Sequence, residues 1–185
     1  PRSGAPLRQG PLALTVVAGF AGVVMMLRPT IEHDQLFAAV VGLRLMVGEL
    51  MAHGQVGPVA PGSADPPWRR ADASPLWLDS LNGFGWLRDL RDCGDPSAAA
   101  LAVQLIDDWS EREWRWSPST WKREVMAARI VNWIRHYDWL ATAADPGFPA
   151  RFVFSLGRQR AHLRRAMRTG LAGHETVAAM KAMIF

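Results

Sequence analysis

Cysteine is almost missing from this sequence: Cys93 stands alone, which excludes an internal disulfide and a cysteine-built metal cluster. Tyrosine is equally scarce, with Tyr137 its single example. Histidines 33, 53, 136, 162 and 174 are scattered, none four residues from another, so the paired helical ligands of a zinc site are lacking. Neither a P-loop, a nucleophile-elbow serine nor a dinucleotide fingerprint occurs. The GFGW at 83–86 lacks the third glycine and a preceding strand, and reads as a turn or tight packing point. No metal and no cofactor is therefore expected. Acids nearly vanish from residues 146–185, which hold seven basic side chains and one carboxylate, Glu175. The net charge of +4 originates there and favours an anionic partner if that face is exposed, or else marks a solvated helix face. The apolar run LALTVVAGFAGVVMML, from Leu12 to Leu27, falls short of the roughly 20 residues of a membrane span. It leaves a membrane tether and a buried helix both open.

What is present is a core. Hydrophobic residues make up 49% of the 185 and charged residues 21%, enough to fill one domain and to argue against disorder. All nine tryptophans lie between Trp68 and Trp139. Residues 1–53 read as an apolar N-terminal segment, with a helix over 35–51 interrupted by Gly42 and Gly48; residues 54–75 read as an irregular connector. Beyond them helical spacing dominates. Leu78, Leu81, Leu87 and Leu90 share one face of a helix closed by Gly94, and Asp95-Pro96 opens the next as N-cap and first residue. Met126, Ile130, Trp133, Ile134, Tyr137 and Leu140 stripe a third helix, ended by Asp145-Pro146-Gly147. Phe152, Leu156 and Leu163 stripe a fourth that starts near Phe148, and Val177, Met180 and Ile184 a fifth that starts near Gly173. No strand alternation appears after Leu76. The class is all-α, in consecutive helical hairpins. The chain opens at Pro1 and stops inside an apolar helical pattern, so it is expected to be a piece of a longer protein.

The stretch WSEREWRWSPSTWKREV, residues 109–125, interleaves indoles with guanidiniums. Indole faces stack on the apolar faces of sugars, and arginine forks hold carboxylates in bidentate fashion. The same set would suit nucleic acid, or would lock helices together as cation–π pairs. Asn132, in mid-helix, costs about half a kcal/mol relative to alanine. That penalty points to a hydrogen-bonding task, toward backbone or ligand. Downstream, Arg151, Arg158 and Arg165 repeat at seven, and Arg160, Arg164 and Arg168 at four.

In order, SLNGFGWLRDLRDCGDPSAAALAVQLIDDWSERE, WKREVMAARIVNWIRHYDWL, FSLGRQRAHLRRAM and GHETVAAMKAMIF resemble the N-terminal region of heparinase II/III family proteins, closest to a bacterial branch. The resemblance runs from Leu76 to Phe185, more loosely from Gly48, and leaves residues 1–47 outside. It implies that residues 76–185 are the N-terminal part of an α/α toroid, a partial ring of helical hairpins that stops before a β-sandwich domain. It also implies a parent enzyme that is a polysaccharide lyase, cleaving uronic-acid-containing chains by β-elimination.

The residues expected to contact such a polysaccharide are Trp114, Trp116, Trp121, Arg129, Asn132, Trp133, Arg158 and Arg165. Many relatives place an Asn-His pair at the start of the helix corresponding to 174–185, the asparagine neutralising the uronate carboxylate. Here Gly173 stands in its place and has no side chain to offer, so His174 is the catalytic candidate. The remaining machinery would lie beyond Phe185, and this chain alone is not expected to catalyse elimination. The implied partners are an acidic polysaccharide and the β-sandwich of the same full-length chain, with no nucleic acid. The implied compartment is periplasmic or secreted, with a membrane tether through Leu12 to Leu27 left open. The alternative is a non-catalytic helical scaffold or interaction module whose aromatics are buried.

Overall fold

The computed structural model describes residues 33–167. Among them the chain is mainly α, with six α-helices and one small two-stranded sheet. Helix α1 (His33–Met46) runs through Gly42 without breaking. That glycine instead lets α1 lie against the backbone of residues 89–93: a Cβ there would sit 2.4 Å from the Asp89 carbonyl oxygen and 2.7 Å from Cys93 Cβ. Gly42→Ala is therefore expected to force two backbones apart, at a cost of about 1–3 kcal/mol, read as a lowered urea midpoint at unchanged m-value.

The helix expected over 35–51 stops at Met46, and this is a correction. Gly48 turns the chain at φ +80°. Strand β1 (Glu49–Ala52) then pairs antiparallel with β2 (Gln55–Pro58), Leu50 opposite Gly57 and Ala52 opposite Gln55. His53 and Gly54, with φ of 50° and 75°, form the two-residue loop whose positive dihedrals match the twist of a tight hairpin. The hairpin rests on Trp77, whose indole Nε1 donates to the Leu50 carbonyl at 3.1 Å. A Cβ on Gly57 would come within 2.7 Å of the same ring.

The connector is tied down rather than loose. A 3-10 turn (Pro67–Arg69) buries Trp68, and the Trp68 Nε1 donates to Asp108 Oδ2 at 2.8 Å. Helix α2 (Pro75–Gly83) starts with Ser74 accepting from the Trp77 backbone N–H and Pro75 in the first turn, a sequence-encoded cap. The single helix expected from Leu78 to Leu90 is divided. Phe84 adopts a left-handed conformation (φ 57°) between α2 and α3 (Leu87–Asp92). Helix α4 (Ala98–Arg112) begins after an Asp95 turn in which Oδ1 accepts from the Ser97 amide, so Asp95 acts just outside the helix rather than as its N-cap. Helices α5 (Arg123–Ala141) and α6 (Phe148–Met167) follow, packed on each other and joined by residues 142–147. The fifth helix expected from Gly173, the run from Leu12 to Leu27, and His174 lie outside the described residues.

Phe84 explains the GFGW turn. Its left-handed backbone delivers the ring into an aromatic cluster, 5.6 Å from Trp68, 4.9 Å from Trp86 and 5.3 Å from Trp133, centroid to centroid. Trp133 in turn meets Trp109 edge-on at 5.6 Å and stacks near Phe152 at 5.6 Å. Pairs of this geometry add about 0.5–1.5 kcal/mol each beyond area burial. Trp68, Trp77, Trp86, Trp109, Trp121 and Trp133 are all buried, so most of the tryptophan load is core.

Candidate functional site

The eight expected contact residues fall into three places. Trp133, Trp121 and Arg129 are buried, and their assignment to a sugar-facing surface is corrected. Arg129 is fully buried and acts as a clamp. Its Nε donates to Gln159 Oε1 at 2.7 Å, and its Nη1 to the carbonyls of Asn82 and Thr120 at 2.8 and 2.9 Å. Its guanidinium lies 3.9 Å from the Trp109 ring centroid. Burial pushes the guanidinium down to about 9, partly opposed by the Glu113 carboxylate, which leaves it charged at neutral pH. Asn82, buried beside it, donates to the Trp68 and Leu78 carbonyls and accepts from Trp109 Nε1 at 3.0 Å. Sequence reasoning passed over Asn82, which stands next to last in α2, where asparagine is ordinary and carries no mark of its buried hydrogen bonds.

Asn132 lines an open groove of about 690 Å3 between α2, α3, α5 and the β1–β2 turn. Its hydrogen-bonding task goes to backbone: Nδ2 donates to the Gly83 carbonyl at 2.8 Å, closing the end of α2 at the left-handed break. Asp79, Asp89 and Glu124 line the groove against Arg88 and Arg135, so its charge does not suit a polyanion. Burial raises the Asp89 carboxyl above its ordinary range and so favours its neutral form, in spite of the Arg88 guanidinium nearby.

Trp114, Trp116, Arg158 and Arg165 lie elsewhere, on the loop between α4 and α5 and on α6. The loop is anchored at both ends. Glu113, 2% exposed, takes the Arg69 guanidinium at 2.7 Å. Trp121 donates its Nε1 to the Glu113 carbonyl at 2.9 Å. Ser117 and Thr120 bond through their hydroxyls at 2.6 Å, and Arg129 holds the Thr120 carbonyl from below. From this fixed base Trp114 and Trp116 project, 52% and 61% exposed. Arg115 lies over the Trp114 ring at 4.6 Å. Arg158 donates to the Trp114 carbonyl, with its guanidinium 5.7 Å from the Trp121 ring. Arg165 follows two turns along α6 and is exposed. Arg151, the first of the seven-residue row, is engaged with Asp107 and Asp145, and its guanidinium holds the Asp145 carboxyl down at about 2.

The loop thus offers two exposed indoles, that of Trp114 beside the Arg115 guanidinium, on a base held by its own hydrogen bonds. No family model, curated protein or solved structure matches the chain.

Proposed function

We propose that the chain is the N-terminal helical part of a heparinase II/III-like polysaccharide lyase, an α/α toroid of hairpins that binds a uronate-containing polysaccharide for β-elimination. The observation that carries the binding half of this reading is the pair of exposed indoles on an anchored loop. Large aromatic side chains are mostly withdrawn from water, and a fixed loop that presents two of them has a contact to make. Stacked sugar rings would cover the indoles, while Arg115, Arg158 and Arg165 would meet carboxylates. The share of this chain is binding and orientation. Proton abstraction α to the carboxylate would fall to residues outside 33–167, His174 among them, completed by a β-sandwich of the same polypeptide. A helical scaffold is the competing reading, favoured by the six buried indoles, and one titration separates the two.

Tryptophan emission is expected to change on addition of hyaluronan oligosaccharides and not of neutral cello-oligosaccharides, with affinity falling as salt rises. The double variant Trp114→Ala, Trp116→Ala is expected to bind roughly tenfold more weakly or worse, about 1–2 kcal/mol, without a change in melting temperature. Unaltered emission at millimolar oligosaccharide would favour the scaffold.

A further inference from the structure

We propose that His162, in its protonated form, is a further binding residue of the Trp114–Trp116 face, so that anionic saccharide is held more tightly as pH falls. This rests on the polysaccharide reading above. Residues 158, 162 and 165 stand at i, i+4 and i+7 on α6, one continuous strip about 10 Å long. Arg158 at one end is tied to the indole loop through the Trp114 carbonyl. His162 sits in the middle, its ring edge-on to Trp121 with centroids 5.3 Å apart. Arg165 closes the strip. An anion that bridges the two arginines must pass the imidazole.

The groups around His162 make its charge conditional. On its own helix it has Arg158 one turn before and Arg165 one turn after. The loop packed against it contributes Trp121, with Arg115 engaged over Trp114, and Glu113, whose carboxylate is taken by Arg69. Burial, and then Arg165, lowers the imidazole from its ordinary 6.5, so without a ligand it stays neutral at neutral pH. A carboxylate or sulfate lying along the strip reverses the balance, because a nearby opposite charge favours the protonated ring. Ligand and proton then bind together, and by linkage each strengthens the other. The sign follows. Affinity rises as pH drops through the pKa of His162 in the complex and levels off below its pKa in the free protein.

The test is the affinity for hyaluronan oligosaccharide, by calorimetry at constant ionic strength between about pH 5 and pH 8, of the wild-type chain, His162→Gln and His162→Lys. A rise of one pKa unit on binding corresponds to a gain of about tenfold in affinity across this range. The wild type is expected to show that gain. His162→Gln is expected to be weaker by about the same factor at the acid end, the gap closing as pH rises. His162→Lys, charged throughout, is expected to bind tightly with no slope. Wild-type binding without a pH slope overturns the assignment, and so does a slope that survives in His162→Gln. A loss in His162→Gln equal at every pH would mean that the ring only props Trp121, and overturns it too. Absence of binding at any pH instead removes the polysaccharide reading on which the inference rests.

Discussion

Arg129→Ala is expected to lose about 3–5 kcal/mol of stability, from buried acceptors left without a donor at about 1–3 kcal/mol each and from the space of a long enclosed side chain. The loss has three parts. The Asn82 and Thr120 carbonyls and Gln159 Oε1 each lose their donor in a region water does not reach. The Trp109 ring loses the guanidinium that lies 3.9 Å from its centroid. The volume of a long side chain, fully enclosed, is left as a cavity. Arg129→Lys is not expected to rescue it, because an ammonium cannot reach Gln159 and two carbonyls as a planar fork does. Differential scanning calorimetry checks this. At about 2–4 °C per kcal/mol for a domain of this size, the melting temperature should fall by roughly 10 °C or more. If Arg129→Ala melted like the wild type and lost only glycan affinity, its assignment to the core would be wrong and the sequence reading right.

Trp133→Ala is expected to cost about the same, 3–5 kcal/mol, as a large buried aromatic truncated to a methyl. Trp133 has no exposed surface and meets Phe84, Trp109 and Phe152 at 5.3–5.6 Å. Those rings come from the α2–α3 turn, α4 and α6, so one truncation loosens the seat of three elements on α5. Urea denaturation followed by far-UV circular dichroism reads the effect, and Trp133→Phe should recover more than half of it because the edge-on and stacked contacts survive. A Trp133→Ala midpoint within 0.5 kcal/mol of wild type would show that the ring faces a hollow. The contrast with Trp114 and Trp116 is the useful one: identical side chains, opposite expected effects.

That contrast marks the limit of what periodicity can say. The stripe of Met126, Ile130, Trp133 and Leu140 was legible and is the buried face of α5. So were the start of α6 at Phe148 and the φ +71° of Gly94, whereas the Ser74-Pro75 cap lay inside what read as an irregular connector. The two-residue loop His53-Gly54 was missed, since its usual sequence marks are Asn-Gly or Asp-Gly, and a short hairpin beside an apolar helix carries little alternation. GFGW at 83–86 read as a turn, yet Leu78 to Leu90 also read as one helix, because a bulky residue at positive φ is strained on its own and the aromatic cluster and the Asn132 bond to Gly83 that hold it there come from elsewhere in the chain. For Asn132 the sequence declared a hydrogen-bonding task, and the fold supplied the partner.

Local rules determined which stripe of each helix is apolar and some of the helix ends, the stop before Gly94 and the start at Phe148 among them, because caps, glycines and the 3.6-residue repeat act within a few neighbours along the chain. Which tryptophans face water, and which arginine is entombed, was decided only when α2, α4, α5 and α6 closed on one another. Burial is a property of distances between residues 30 to 50 positions apart, such as Arg129 with Gln159 or with Asn82. An indole or a guanidinium carries no local mark of which side it will take, since each has both an apolar face and a polar edge.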